Sequence, residues 1–220
     1  MAGEGTCEAP LGPKGTQPAQ IGSAPQGATV GRVNICVYCA SNVGDDPAFG
    51  DAAAAVGRAI VGRGADLVYG GGDVGLMGIV ANEVLAGGRS VTGIITEHLM
   101  KPEVAHRGLD ELVVVADMPE RKRAMFDRAD AFITLPGGVG TMEEMFEVLC
   151  WSYLGLQPKP MSLLNVAGYY DHLIGFLDQA IGHGLCRPRV RDLLLVGTDV
   201  EDLFDRLFAQ DRSPDGAVGV

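Results

Sequence analysis

Basic residues are scarce in this 220-residue chain. Lysine and arginine together number 17 against 28 aspartates and glutamates, so the formal net charge is −11. A protein that follows a nucleic-acid backbone needs a basic groove, because it neutralises phosphates with lysine and arginine. The acidic balance therefore argues against a nucleic-acid partner, but it is compatible with a small phosphorylated ligand.

Long apolar runs are absent as well. No run approaches the roughly 20 residues that a membrane-spanning helix requires. The first 31 residues also lack a basic segment followed by an apolar one, the pattern that opens a secretory signal. We predict a cytoplasmic protein without a membrane partner.

Cysteine and histidine are sparse and scattered. Cys36 and Cys39 form a lone C-x-x-C at the end of an apolar strand pattern, and no second pair completes a zinc site. The set is odd in number, which predicts buried thiols in a reducing compartment: Cys7, Cys36, Cys39, Cys150 and Cys186. The histidines have no metal-binding spacing and lie at His98, His106, His172 and His183. We predict no metal site.

The two ends of the chain differ from its middle. Residues 1–31 are rich in glycine, proline, alanine, glutamine and threonine, and residues 211–220 look similar. Neither stretch has the apolar surface to offset the entropy of ordering. We predict a disordered N-terminal tail, one domain at residues 32–210 and a flexible C-terminal tail. The chain is 47% hydrophobic and 20% charged, which is typical of a globular protein.

Between the tails, short apolar runs alternate with longer stretches of helical period. The runs predict strands at residues 32–38, 66–69, 90–95, 111–116, 130–135, 160–165 and 192–196. The longer stretches predict helices at residues 47–62, 74–86, 119–129, 141–154, 169–181 and 200–208. This alternation predicts an α/β fold with a doubly wound, Rossmann-like parallel sheet in a single domain. In such folds a ligand binds at the carboxyl ends of the strands, near the switch point.

A glycine-rich loop, Gly70-Gly71-Gly72-Asp73-Val74-Gly75, follows a predicted strand and opens a predicted helix. Backbone N–H groups in such a loop can approach a phosphate at the helix N-terminus. The spacing also satisfies the dinucleotide fingerprint, but that fingerprint follows the first strand of its fold and this loop follows the second. A tight turn that requires positive φ is the structural alternative.

A second glycine-rich loop, Pro136-Gly137-Gly138-Val139-Gly140-Thr141, joins another apolar strand to a helix. Two such loops in one small sheet predict a mononucleotide held from two sides. The turn Ala40-Ser41-Asn42 after the first strand could add a hydroxyl and an amide. An ordinary turn explains that segment equally well.

The helix after the second loop carries Glu143, Glu144 and Glu147 away from its apolar stripe. Thr141 and Glu144 have the spacing of a capping box, with Thr141 as N-cap. A structural role therefore competes with a catalytic role at Glu144.

The preceding helix opens with the basic segment Arg121-Lys122-Arg123. Cations there oppose the helix dipole, at a cost of about 0.3–1 kcal/mol each when exposed. A bound phosphate or a carboxylate across the cleft would compensate. A solvated basic face is the alternative.

Taken together, these segments resemble the LONELY GUY (LOG) family. Residues 136–144 match P-G-G-x-G-T-x-x-E, and they occur with Glu120-Arg121-Lys122 and with Gly70-Gly71-Gly72-x-x-Gly75-Leu76-Met77. The likeness runs from about residue 33 to residue 208. The resemblance implies hydrolysis of the N-glycosidic bond of a cytokinin riboside 5'-monophosphate (an N6-substituted AMP), or of AMP itself. The products are the free base and ribose 5-phosphate.

By motif position, the resemblance implies that Glu144 and Arg121 are the catalytic pair. It implies substrate contacts from Glu103, Lys122, Gly137, Gly138, Val139, Gly140, Thr141, Met142, Glu143, Ser41, Gly71, Gly72 and Met77. It further implies a homodimer. The reaction requires no metal or organic cofactor. Two positions depart from the family pattern, which often has histidine at Pro119 and threonine at Cys150.

The chemistry can also be argued from the reaction itself. Breaking a ribosyl C–N bond builds positive charge on the sugar, so the site needs an ionised carboxylate near the anomeric carbon and a water to orient. The N-terminus of the helix would help to keep Glu144 ionised. Arg121 would orient that carboxylate or the ribose.

Three other functions compete with hydrolysis. A lysine decarboxylase needs a Schiff-base lysine, and this chain offers only Lys14, Lys101, Lys122 and Lys159. A non-catalytic nucleotide carrier would use the same loops. An oxidoreductase would depend on the first loop alone, and absence of NAD binding would exclude it.

Overall fold

The computed structural model describes residues 32–100 and 105–210, so both predicted tails lie outside the described residues. Seven described strands form one sheet: β1 (Asn34–Tyr38), β2 (Asp66–Tyr69), β3 (Val91–Thr96), β4 (Glu111–Val115), β5 (Ala131–Thr134), β6 (Met161–Leu164) and β7 (Leu194–Gly197). The described α-helices are α1 (Pro47–Gly62), α2 (Gly75–Ala86), α3 (Met118–Arg128), α4 (Val139–Tyr153), α5 (Asp171–Gly182), α6 (Arg189–Leu193) and α7 (Val200–Ala209). The predicted α/β fold is confirmed.

The strand order is β4-β3-β2-β1-β5-β6-β7, and every neighbouring pair is parallel. The chain first adds strands on one side of β1, from β2 out to β4. It then returns and adds β5, β6 and β7 on the other side. The order therefore reverses at β1 and β5, which is where a doubly wound sheet opens a crevice.

Both faces of the central strands are buried, and β1 shows how the sequence achieves this. Ile35 and Val37 belong to one apolar cluster, which contains α1, α2 and α7. Cys36 and Tyr38 point to the opposite face, into a cluster that contains α3, α4, α5 and α6. Successive side chains of a strand alternate between faces, so a continuous apolar run is what a sheet covered on both sides requires.

The helices that open at the glycine-rich loops have no side-chain N-cap, and the same is true of α5 and α6. Aspartate side chains cap α1, α3 and α7 by accepting a backbone N–H: Asp46 from Ala48, Asp117 from Glu120 and Asp199 from Asp202. The N-caps of α2 and α4 are Val74 and Gly138, and neither makes a side-chain cap. The first N–H groups of α2 and α4 are therefore not satisfied by a capping side chain.

The structure adds a helix that the sequence did not predict. Residues 189–193 form the short helix α6, and β7 begins only at Leu194, whereas the sequence predicted a strand from residue 192. A helix of five residues is too short to show a 3.6-residue period, so the hydrophobic pattern did not predict it. No described helix is both long enough and apolar enough to cross a membrane.

Candidate functional site

A pocket of about 750 Å³ opens at the carboxyl edge of the sheet, where the strand order reverses. Its walls come from segments that follow β1, β2, β3, β4 and β5, together with α2, α3 and α4. The lining residues are Cys39, Ala40, Ser41, Asn42, Gly70, Gly72, Val74, Met77, Ile95, Leu99, Met118, Arg121, Gly138, Val139, Gly140, Thr141 and Glu144. The predicted location of the site is the location of this pocket.

Arg121 is a buried cation, 7% exposed, held by groups from three parts of the fold. Its Nε donates to the carbonyl of Ile94 at 2.8 Å, and its Nη2 donates to the carbonyl of Gly70 at 3.2 Å. Its Nη1 donates to Oε1 of Glu144 at 2.9 Å. The planar guanidinium offers donors in a rigid fork, so these three bonds fix its orientation.

Glu144 is the acidic partner of Arg121 and is also buried, 8% exposed. Burial raises the pKa of the Glu144 carboxyl above its ordinary value, and the Arg121 guanidinium opposes that rise. The shift is opposite to the one expected from the helix N-terminus alone. The sequence suggested that either a bound phosphate or a carboxylate compensates the basic segment. At Arg121 the compensating group is the carboxylate of Glu144.

The capping box predicted for α4 is not formed. The helix begins at Val139 with Gly138 as N-cap, so Thr141 already lies inside the first turn. Glu144 then lies too far along the helix to reach back to the N-cap, and its side chain binds Arg121 instead. With Gly138 as the N-cap, Glu144 has no capping role to compete with catalysis.

The second glycine-rich loop leaves open space beside the pocket. A Cβ added at Gly138 or Gly140 would meet no heavy atom within 4 Å. At Gly137 it would come 2.1 Å from Oγ1 of Thr141, so only glycine fits against that buried threonine. The loop is closely packed at Gly137 and open at its next glycines, which suits a bound phosphate.

The first glycine-rich loop packs against Arg121 and against the turn after β1. A Cβ at Gly70 would lie 2.2 Å from Nη2 of Arg121, and one at Gly75 would lie 2.2 Å from the carbonyl carbon of Ser41. Gly72 lines the pocket. Gly71 has a φ of 75° and its carbonyl accepts from the His106 amide, so this residue forms the tight turn that was the alternative interpretation.

One backbone segment joins the three loops. The amide of Ala40 donates to the carbonyl of Pro136 at 3.1 Å. The carbonyl of Ala40 accepts from the amides of Leu76 and Met77 at 3.1 and 3.4 Å. The turn after β1 is therefore bonded to the loop after β5 on one side and to the start of α2 on the other.

Lys122 and Glu143 form a separate cluster outside the pocket lining. The ammonium of Lys122 binds Glu143 and also Glu147, the latter at 3.1 Å. Partial burial disfavours the charge of Lys122, but these carboxylates outweigh it and raise its pKa above the ordinary value. The substrate contacts implied for Lys122 and Glu143 stay predictions.

The remaining implied contacts fall into three groups. Ser41, Gly72, Met77, Gly138, Val139, Gly140 and Thr141 line the pocket. Gly71 and Gly137 belong to the same loops and Met142 to α4, but none of the three is part of the lining. Glu103 lies outside the described residues.

Sequence reasoning missed an apolar wall. Ile95 is in β3, Leu99 follows that strand, and Met118 follows β4, and all three line the pocket. The available signal was position, because each lies at or just after the carboxyl end of a strand. Cys39 also lines the pocket. Asn42 lies there beside Ser41, in the turn whose hydroxyl and amide the sequence indicated as possible contacts.

The two cysteines of the lone C-x-x-C differ from Cys150 in their burial. Cys36 and Cys39 are both buried, as predicted, and burial raises the pKa of both thiols well above the ordinary value. Cys150, in contrast, is exposed. Among the described residues, no group of three or more histidines, cysteines or acids could hold a metal ion.

Known proteins resemble this chain in both sequence and fold. The family model described as "Possible lysine decarboxylase" matches residues 77–207. Two proteins of Arabidopsis thaliana, both described as cytokinin riboside 5'-monophosphate phosphoribohydrolase, are similar in sequence. One is 46% identical over 173 residues, which cover 79% of this chain and 80% of that protein. The other is 44% identical over 173 residues, which cover 79% of this chain and 81% of that protein.

Solved structures with a similar fold are more distant in sequence. The molybdenum cofactor binding protein from the phototrophic bacterium Rippkaea orientalis has a TM-score of 0.62 and 19% identity, over 82% of this chain and 98% of that chain. The molybdenum cofactor carrier protein of Chlamydomonas reinhardtii has a TM-score of 0.59 and 18% identity, over 81% of this chain and 99% of that chain. At these identities the likeness shows the fold alone.

Proposed function

Because the chain belongs to the LONELY GUY (LOG) family, we propose that it is a nucleoside 5'-monophosphate phosphoribohydrolase. It hydrolyses the N-glycosidic bond of cytokinin riboside 5'-monophosphates, or of AMP, and releases the free base and ribose 5-phosphate. One observation carries the proposal: a buried Arg121–Glu144 ion pair, 2.9 Å long, in the wall of a pocket that two glycine-rich loops also line.

The order of the strands supports one orientation of the nucleotide. Met118 and Leu99 follow β4 and β3, so the apolar wall lies toward that side of the sheet. The open loop with Gly138 and Thr141 follows β5, on the other side of β1. The purine would therefore lie against the apolar wall and the 5'-phosphate at the N-terminus of α4, where N–H groups and the helix dipole favour an anion.

The ion pair would then lie near the ribose, between the two ends. As the C1'–N9 bond breaks, its electron pair leaves with the purine, which takes up one proton from solvent to become the free base, and positive charge develops on the ribose. An ionised Glu144 would stabilise that charge and accept a proton from the water that adds to C1'. A carboxylate with a raised pKa is the better base, and Arg121 would fix its position by the bond to Oε1.

The described lysines do not fit the decarboxylase description of the family model. That chemistry needs a lysine that forms a Schiff base with pyridoxal phosphate. Lys122 is bound by two carboxylates, and Nζ of Lys159 donates to the carbonyl of Phe126 at 2.6 Å. Neither lysine lines the pocket, so the described part of the chain offers no lysine for a Schiff base there.

We further propose that the protein is a homodimer. Large apolar side chains are exposed near the ends of two adjacent helices: Leu154 and Leu156 follow α4, and Leu185 follows α5. The Tyr153 hydroxyl accepts from the amide of Arg187, which brings these ends together. Such a surface is a candidate for burial against a second copy. The cytoplasmic location remains a prediction.

Purified protein incubated with AMP and with N6-isopentenyl-AMP, followed by chromatography for the free base, tests the proposed reaction. Wild-type protein should release base from at least one of them. Glu144→Gln should release less than about a thousandth as much, since loss of a charge-stabilising group costs about 10²–10³ in rate and loss of the general base adds to it. Glutamine can still accept from Arg121, which keeps the hydrogen bond, but Arg121 then lacks its counter-ion and the variant should be less stable. Its circular dichroism spectrum should match that of the wild type before the two rates are compared.

Glu201→Gln is the matched control, because Glu201 is an exposed carboxylate of α7 that pairs with Arg63 and does not line the pocket. It should hydrolyse at the wild-type rate. Equal turnover by Glu144→Gln and wild type would leave Glu144 a purely structural residue. Nucleotide that binds but stays intact in wild-type protein would favour a carrier.

A further inference from the structure

Two adjacent tyrosines at the start of α5 bind the second glycine-rich loop. The hydroxyl of Tyr169 donates to the carbonyl of Gly137 at 2.9 Å. The hydroxyl of Tyr170 donates to the carbonyl of Leu135 at 2.7 Å. The carbonyl between them, that of Pro136, accepts from the amide of Ala40. Three consecutive carbonyls of this loop are therefore each held by a donor from another segment.

A strained turn presents the two tyrosines to the loop. Ala167 and Gly168 both have positive φ, at 48° and 74°. For a residue such as alanine that conformation costs roughly 1–2 kcal/mol, so the surroundings must hold it. The side chain of Asn165 does so in part, because its Oδ1 accepts from the Tyr170 amide and its Nδ2 donates to Asp171, each at 2.7 Å.

Ring packing fixes Tyr169 in place as well. Its ring meets that of Tyr170 edge-on at 4.8 Å and that of Phe49 edge-on at 5.4 Å. Phe49 in turn packs so closely on Gly44 that a Cβ there would lie 2.8 Å from its ring. The Tyr169 hydroxyl therefore lies at a position set by other elements and not by the loop that it binds.

The Tyr169 hydrogen bond also sets the direction of the Gly138 N–H, because both groups belong to the same peptide. The carbonyl of Gly137 and the N–H of Gly138 belong to one planar trans peptide, so they point in opposite directions. A bond that holds the carbonyl toward Tyr169 directs the N–H of Gly138 away from it. Gly138 lines the pocket, and a Cβ there would meet nothing within 4 Å, so packing limits this peptide at its Gly137 end and not at Gly138.

We propose that Tyr169 is a positioning residue for the substrate's phosphate: its hydroxyl locks the Gly137–Gly138 peptide so that the Gly138 N–H is presented to the phosphate. The proposal rests on the proposed function, because it takes the 5'-phosphate to bind at this loop. Without the hydroxyl, the peptide would populate other orientations, and the phosphate would lose a charge-assisted donor.

Tyr170 provides a matched control, because its acceptor belongs to a different kind of peptide. The carbonyl of Leu135 shares a peptide with Pro136, whose nitrogen carries no hydrogen. Loss of the Tyr170 hydroxyl removes the donor to the Leu135 carbonyl and a hydrogen bond to the Gly137 backbone. The Pro136–Gly137 peptide is still held, because the Ala40 amide donates to the Pro136 carbonyl, and the Gly138 N–H belongs to the next peptide. The Tyr170→Phe variant should lose thermal stability and keep its affinity for the phosphate.

Calorimetric titration with AMP and with adenosine tests the proposal in three full-length proteins that all carry Glu144→Gln, so that AMP is not cleaved during the titration. They are the protein with both tyrosines, called wild type in this comparison, and its Tyr169→Phe and Tyr170→Phe variants. Phenylalanine keeps the ring contacts, and Tyr169 is 45% exposed, so the Tyr169→Phe variant should melt near the wild-type temperature. We expect its Kd for AMP to rise about tenfold, as expected for loss of one hydrogen bond to a charged group. Its Kd for adenosine should stay within twofold of wild type. Tyr170→Phe should bind both ligands as wild type does and melt at a lower temperature.

Several results would overturn the proposal. These are wild-type affinity for AMP in Tyr169→Phe, equal losses for AMP and adenosine, equal losses in both variants, or early melting of Tyr169→Phe. Binding is measured apart from turnover, so the two proposals fail separately. A protein that keeps Glu144 and binds AMP without cleaving it contradicts the hydrolase, and the titrations would still test Tyr169.

Discussion

Arg121 and Glu144 are buried at the same place, and each carries the charge that offsets the other. Removal of one partner of such a pair leaves a buried charge that nothing compensates, at a cost of about 3–5 kcal/mol. We expect Arg121→Met to lower the free energy of unfolding by about that amount at pH 8. Urea titration would measure it, with Arg58→Met as a control at a 60% exposed surface arginine.

The loss in Arg121→Met should depend on pH. Burial already raises the pKa of Glu144, and without the guanidinium that opposes this rise the pKa should lie higher still. The folded state would then bind a proton more tightly than the unfolded chain does, so stability increases as the pH falls through the folded-state pKa. The difference from wild type should therefore be smaller at pH 5 than at pH 8. A loss independent of pH would contradict this account.

At the residue scale, the sequence predicted which side chains matter better than it predicted their surroundings. The motif identified Arg121 and Glu144, but their contact joins residues 23 positions apart and depends on two helices that cover the same face of the sheet. The apolar lining at Leu99 and Met118 belongs to no motif. Its residues come together only because neighbouring strands end at the same edge.

At the element scale, the contact between the start of α2 and the turn after β1 depends on glycine. Gly75 has a φ of 60°, and a Cβ there would lie 2.2 Å from the Ser41 carbonyl carbon. We expect Gly75→Ala to lower the free energy of unfolding by more than about 1 kcal/mol, because strain and overlap act together. AMP turnover should fall as the loops separate. Thermal unfolding and the base-release assay would measure both.

The control for that substitution is Gly62→Ala. Gly62 is the last residue of α1, its added Cβ meets nothing within 4 Å, and its φ is not positive. Alanine is the better helix former, so the variant should be unchanged or stabilised by up to about 1 kcal/mol. Equal unfolding midpoints for the two variants would show that the Gly75 contact contributes nothing.

Helix and strand positions followed closely from hydrophobic period, while element starts depended on local chemistry. The start of α4 moved to Val139 because Gly138 serves as N-cap, and α5 begins only at Asp171 after a turn with two left-handed residues. Neither the N-cap nor the turn repeats along the chain, so hydrophobic periodicity cannot predict it.

At the scale of the whole molecule, the predicted boundaries of the domain can be tested directly. Both apolar clusters described here are formed by residues between Val33 and Phe208. A chain limited to residues 32–210 should therefore keep the melting temperature and the base-release rate of the full protein. Light scattering should give a mass twice that of one truncated chain, because we propose a homodimer. Loss of activity or a monomeric mass would assign a role to the terminal residues.

Residue patterns were enough to predict the succession of strands and longer helices along the chain, the burial of the central strands on both faces, and the family, because these depend on local periods and on contiguous motifs. They were not enough to predict that Glu144 binds Arg121 instead of capping α4, or that Tyr169 binds the Gly137 carbonyl across 32 positions; both follow from the folded structure. The physical reason is that a hydrogen bond between distant segments depends on where the whole sheet places its loops. No residue pattern within one segment contains that information.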